Sequence, residues 1–102
     1  MSELMVNGEH VTEEWVSERM KRHGLPEYMA GGVYRYLAHR IAGGSFLNAV
    51  LSNDLTEAFA QADDQNARCM HGWVRFMYCE LPIGSWGSHE SVKNWLAQRK
   101  VA

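Results

Sequence analysis

Three groups of residues have types and spacings that can do chemistry in this sequence. The stretch LPIGSWGSHESVKNW, residues 81 to 95, sets Trp86 among glycines and serines at the start of a final helix. The first N–H groups of a helix have no intrahelical partner and carry partial positive charge, so Gly87 and Ser88 are placed to hold a phosphate or a carboxylate. Trp86 beside them can stack on a base. No GxxxxGK[ST] spacing accompanies them, and Lys93 lies too deep in the helix to imitate its lysine. The plainer account is a hinge, with Ser88 capping its own helix, the glycines turning the chain and Trp86 plugging the core.

Arg40 and Asn66 are the other two. Arg40 falls within the apolar side of a helical pattern, where a guanidinium must reach solvent, bond to terminal carbonyls or find an anion such as Asp54, Asp63 or a ligand. Asn66 interrupts a seam of Leu, Phe, Ala, Met and Trp. An amide there either fixes helix register or oligomeric state, or reads the hydrogen-bonding edge of a ligand with Asp63 one turn away.

Catalytic and metal-binding patterns are missing. Cys69 and His71 stand two apart on a helix and do not face each other, so they form no thiolate-imidazole pair. His10, His23, His39, His71 and His89 show neither HExxH nor paired Cys-His spacing. Asp54 and Glu57 read as an exposed acidic helix start rather than a metal site. The expectation is a non-enzymatic protein without metal or cofactor.

The elements that must position these residues are mostly helical. Asn7-Gly8 between two short runs predicts a two-residue hairpin turn at the front. Thr12 caps a helix over 13–23, with Glu13 and Glu14 in its first turn, Val11 and Val16 at staple spacing, and Gly24-Leu25 as a Schellman ending against Met20. Pro26 opens a second helix running to about residue 41, with Met29, Val33, Tyr36, Leu37 and Ile41 on one side and Tyr28, Arg35 and His39 on the other. Gly31 and Gly32 weaken it unless another backbone approaches there.

Ser45 caps a short helix. Asn53-Asp54 then restarts the chain, and the spacing Leu55, Phe59, Ala62, Asn66, Met70, Trp73, Met77 predicts one long helix to about residue 80, which Asp63-Asp64 can break. Pro82 ends it, and Ser88 caps a last helix carrying Val92, Trp95 and Leu96. The predicted fold is all-α: a single domain over residues 1–102, a bundle of about five helices with a small N-terminal hairpin.

Composition bounds the function. At 102 residues and 46% hydrophobic, with four Trp, four Tyr, three Phe and six Met, the chain has one small core whose apolar surface is easily shared with a second copy. The net charge of −2 argues against a general nucleic-acid binder. Charge is nevertheless segregated: residues 1–18 carry acids and no Lys or Arg, 19–40 carry five basic residues, and 54–64 hold Asp54, Glu57, Asp63 and Asp64 unrelieved. Such opposed patches suit a homo-oligomer or a protein partner. Cys69 and Cys79 on one helix would lie roughly 15 Å apart, too far for a disulfide. Free thiols, with no signal peptide and no membrane-length apolar run, point to the cytoplasm.

The blocks PEYM, GSFLNAVLSNDLTEAFAQADDQN, FMYCELP and WGSHESVKNW, in that order across residues 26–96, resemble a family of short proteins encoded by tailed bacteriophages and their prophages. Residues 1–24 lie outside the resemblance, and it carries over no catalytic or binding residue. What it implies is a phage setting, where small accessory proteins counter host defence by occupying a host protein or sequestering a nucleotide signal. The expectation is therefore stoichiometric binding of a host defence protein in the host cytoplasm. The alternative is an oligomeric sponge for a (cyclic) nucleotide, enclosed by Arg40, Asn66, Trp86 and the last helix's N-terminus from two chains. A small DNA-binding regulator built on the first two helices is a third reading, disfavoured by the charge balance.

Overall fold

The computed structural model of the protein describes residues 4–98. Asn7 and Gly8 both have positive φ and turn the chain between β1 (Met5–Val6) and β2 (Glu9–His10), which pair antiparallel with Val6 opposite Glu9. Two residues per strand cannot hold a hairpin in water. Glu9 fastens it to the domain: its carboxylate accepts the Trp15 indole N–H at 2.9 Å and pairs with Arg19.

Helix α1 (Glu13–Arg22) starts where Thr12 Oγ1 accepts the Trp15 backbone N–H at 3.0 Å, with Val11 and Val16 both buried as the staple requires. It ends as predicted. Leu25 N–H reaches Met20 O, Gly24 N–H reaches Lys21 O, and Gly24 takes a φ of 71° that a side chain would resist.

The second predicted helix is shorter than its pattern. Pro26 is extended, residues 27–29 make one 3-10 turn, and α2 (Ala30–His39) stops at Arg40, whose left-handed conformation (φ 56°, ψ 41°) ends it. Arg40 is thus a helix terminator and does not sit in the apolar stripe, while Ile41, expected in that stripe, is 39% exposed. No second backbone approaches Gly32, where an added Cβ would meet Leu47 Cδ2 at an ordinary 3.7 Å. Gly32→Ala is therefore expected to stabilise the fold by about 0.5–1 kcal/mol, read as a higher urea midpoint. A lowered midpoint would mean that the α2 contact is tighter than this.

Helix α3 (Ser45–Leu51) is capped by Gly44, and Ser45, expected to be the cap, occupies the first helical position without a capping bond. The single long helix expected to residue 80 is three: α4 (Leu55–Gln61), α5 (Asp64–Arg68) and α6 (Met70–Glu80). Asp54 and Asp63 each accept a backbone N–H three residues on, from Glu57 and Asn66, so each starts a new helix. The apolar seam breaks with it. Leu55 and Phe59 are 64% and 48% exposed, and Ala58 takes their place in the core. Helix α7 (His89–Ala97) begins at Ser88 as predicted.

The core is one apolar cluster drawn from every helix except α5, whose buried residue is Asn66. Trp73 lies at its centre, edge-on to both Phe46 and Phe76. Along one flank, Glu80 at the end of α6 receives Arg19 of α1 at 3.4 Å and His23, the C-terminal cap of α1, at 2.9 Å. Cys69, between α5 and α6, and Cys79 are both free thiols. Among the described residues no helix is long and apolar enough to cross a membrane.

Candidate functional site

Asp63 and Asn66 come together where α5 begins. Asp63 Oδ1 takes the Asn66 backbone N–H at 2.7 Å, and Oδ2 accepts the hydroxyl of Tyr28 from the 3-10 turn 35 residues earlier. The bond to Tyr28 holds the Asp63 carboxyl below the usual carboxylate range, with the Asn66 N–H adding to it. The same bond, with desolvation and the Asp63 charge, pushes Tyr28 up to about 12. Asn66 itself faces inward: its Oδ1 accepts the Trp73 indole N–H at 2.9 Å, so its amide satisfies the one polar atom of the central core residue. This is a structural role of a different kind from the register or oligomer setting expected of an amide in the seam: it satisfies a buried donor within one chain.

Beside this clasp lies an open crevice of about 480 Å³, lined by Tyr28, Arg35, Ser45, Gln61, Asp63 and Asn66 over a floor that includes Gly32 and Gly43. Arg35 is exposed and makes no ion pair among the described residues. The crevice offers the Arg35 guanidinium, which shares the space beside Gly31 with the Glu13 carboxylate, a phenol ring bonded to Asp63, and the Gln61 amide. Such a set can hold a planar anionic group, the charge on Arg35 and the ring against Tyr28. Sequence reasoning passed over Tyr28 and Arg35 because both read as the solvent side of a helix.

The clasp has its own titration. Asp63→Asn removes the charged acceptor, so the Tyr28 ionisation is expected to fall back from about 12 towards the ordinary tyrosine value of about 10. A spectrophotometric titration at the tyrosinate band, against Tyr28→Phe as the assignment control, checks it. The signs follow from the shifts: Tyr28 contributes stability that is lost as pH rises through its folded value, and Asp63 contributes stability that is lost as pH falls through its own lowered value. A variant titrating like the parent would break the assignment.

The other expected site residues are elsewhere. Arg40 lays its guanidinium 3.8 Å over the Trp95 ring, with Nη1 donating to Leu37 O at 2.5 Å and Nη2 to Gln98 Oε1 at 3.4 Å. Burial there lowers its pKa, against a smaller opposing effect of Tyr36. It pairs with neither of the acids considered for it: Asp63 holds Tyr28, and Asp54 holds His89 at 2.9 Å.

Trp86 is half-buried against the core, and the loop around it is tied down. Ser85 is fully buried and its carbonyl accepts the Tyr36 hydroxyl at 2.7 Å. Gly87 donates its N–H to Leu51 O at 2.8 Å, and Ser88 Oγ accepts the Ser91 N–H at 2.9 Å. The amide and hydroxyl proposed for an anion are engaged within the chain, and the hinge account describes this loop. Neither Arg40 nor residues 86–88 line the crevice.

A different surface was hidden by the long-helix pattern. Leu55 and Phe59 stand exposed one turn apart on α4, and Val74 and Tyr78, 50% and 79% exposed, do the same on α6 beside His71 and Arg75. Cys69 donates to Gly24 O at 3.4 Å, while His71 is exposed. Among the described residues no group of three or more His, Cys, Asp or Glu is placed to hold a metal ion. Comparison with protein-family models, with curated proteins and with solved structures finds no match for this chain.

Proposed function

We propose that the protein is a non-catalytic accessory protein of a phage or prophage that acts in the host cytoplasm by stoichiometric capture of a host protein. The observation that carries the reading is the pair of outward apolar faces, Leu55 with Phe59 on α4 and Val74 with Tyr78 on α6. Each large apolar side chain that leaves water on binding is worth about 1.5–3 kcal/mol, and aromatic anchors on short, capped helices lose little freedom when they dock. Acidic residues at both ends of α4 and basic residues beside Tyr78 give a partner an orientation.

The test is affinity capture from host lysate by the parent and by two double variants, Leu55→Glu with Phe59→Glu and Val74→Glu with Tyr78→Glu. A specific host protein recovered in near-equal amount by the parent, and lost by at least one double variant with an unchanged melting temperature, supports capture. Recovery indifferent to both faces refutes it.

The crevice favours a second reading, a nucleotide-sequestering protein, with Arg35 on the phosphate and Tyr28 on the base. Its forecast is a melting temperature raised by several degrees in a panel of cyclic and adenine-containing nucleotides, because ligand at 100 times Kd stabilises the fold by about 2.7 kcal/mol. The shift should vanish in Arg35→Ala. A flat response across the panel removes the sponge.

A further inference from the structure

The two outward faces differ in charge, and the difference is complementary. The α4 pair is bracketed by Asp54 at one end and by Asp63 and Asp64 at the other, and residues 54–64 contain no Lys or Arg. The α6 pair stands beside His71 and Arg75, both exposed, and no acid lies between Met70 and Cys79. Both pairs have i, i+4 spacing and so present apolar strips of equal length, roughly 6 Å along the helix axis. A two-fold contact of α4 on α4 would set acids against acids, and one of α6 on α6 would set arginines against arginines. Only α4 against α6 joins the apolar strips with opposite charge around them.

Helix α4 packs closely on α3 by one side and leaves the other open, with Leu55 64% and Phe59 48% exposed. It is seven residues long, it buries only Ala58, and its main packing partner is α3. A helix of that length draws its stability from packing, and its two largest side chains leave about half or more of their surface uncovered.

We infer that the α4 face of one copy docks on the α6 face of a second copy, forming a head-to-tail contact. The inference rests on the reading of these faces as protein-binding surfaces, and makes the free protein a partner for itself. Head-to-tail contacts leave one face open at each end, so assembly continues into a ring or a filament rather than stopping at two. A host protein that captures either face would cap the assembly.

The full chain tests this by light scattering on a sizing column, from low micromolar to millimolar, at low and high salt. The expected result is a mass that climbs past the dimer with concentration and falls with added salt. The Leu55→Glu, Phe59→Glu variant keeps only its α6 face, and the Val74→Glu, Tyr78→Glu variant keeps only its α4 face. Each alone should be monomeric, and an equimolar mixture should give a dimer and nothing larger. Arg75→Glu, a surface charge reversal that leaves the core alone, should weaken association by roughly tenfold, as like charges at an interface do.

A parent that stays monomeric throughout, a mixture that stays monomeric, or a double variant that still dimerises alone would each overturn the proposal. Lysate capture separates the two claims. A monomeric parent that loses its host protein through Leu55→Glu, Phe59→Glu refutes self-docking and leaves capture standing. A self-associating parent that recovers no host protein does the reverse.

Discussion

Replacing Asn66 with leucine is expected to destabilise the fold by about 1–3 kcal/mol, seen as a lower urea midpoint with an unchanged slope. By composition the change looks favourable. Leucine has similar bulk and higher helix propensity, and it would complete the apolar seam from Ala62 to Met70. The loss comes from Trp73. Its ring is fully buried and its indole N–H is bonded to Asn66 Oδ1 at 2.9 Å. Leucine offers no acceptor, and its side chain would stand between the crevice and the fully buried Trp73 N–H. An orphaned buried donor costs more than the net worth of the bond it made. The Asp63 cap is untouched, because it uses the backbone of residue 66.

A double-mutant cycle isolates the bond. In a Trp73→Phe background the donor is gone, so Asn66→Leu should cost less than in the parent, with a coupling of about 0.5–3 kcal/mol. Additive effects would show that the amide and the indole do not depend on each other. The same bond explains why an amide stands in a helical seam without any ligand. It spans the junction at Cys69, holding α5 and α6 at a fixed angle although no continuous helix joins them.

The starts of α1, α4 and α7 were legible because a cap acts within three residues of itself. Thr12, Asp54 and Ser88 each bond to the N–H three positions on, and no distant partner is needed. The Schellman end at Gly24 and the Asn7-Gly8 turn are equally local. The division of residues 55–80 was not legible as the dominant pattern, since Leu55, Phe59, Ala62, Asn66 and Met70 keep helical spacing straight through the break at Ala62. Only Asp63-Asp64 hinted at it. Once the helix turns away there, Leu55 and Phe59 leave the core side, so a boundary error became an error about which surface is sticky.

Arg40 failed for a long-range reason. Gly43-Gly44 marked a helix end, but the chain stops earlier, in a left-handed conformation that an arginine seldom takes. What accompanies it there is the Trp95 ring of α7, a contact between residues far apart in the chain. The Tyr28 to Asp63 clasp that shapes the crevice is of the same kind. Local chemistry names the residues able to cap, turn or bury. Which of them meet depends on packing between helices, and there the candidate site was assembled from different members: Asp63 and Asn66 stayed, Tyr28 and Arg35 joined, and Arg40, Trp86, Gly87 and Ser88 went to structural work.

Gly72→Ala sets local propensity against packing. Gly72 lies inside α6, where alanine should gain about 1 kcal/mol by propensity. Its neighbour reverses the sign: an added Cβ would lie 2.4 Å from the backbone oxygen of His23 and 3.2 Å from Leu25 Cδ2. A flexible side chain would yield, but a carbonyl in the Schellman turn cannot. His23 and Leu25 N–H both bond to Met20 O, and Gly24 N–H bonds to Lys21 O, so displacing the His23 peptide means opening the end of α1. The His23 to Glu80 and Arg19 to Glu80 contacts lie on the same interface and would loosen with it. Overpacking against fixed atoms costs about 1–3 kcal/mol or more, and the expected net result is destabilisation. Gly32→Ala, also a helical glycine but one whose added Cβ meets only side-chain atoms at ordinary distances, Leu47 Cδ2 and Arg35 Nη2, is the matched control with the opposite expected sign. Urea midpoints moving in opposite directions would place the α1–α6 contact at Gly72. A stabilised Gly72→Ala would mean that the His23 turn and α6 do not approach this closely.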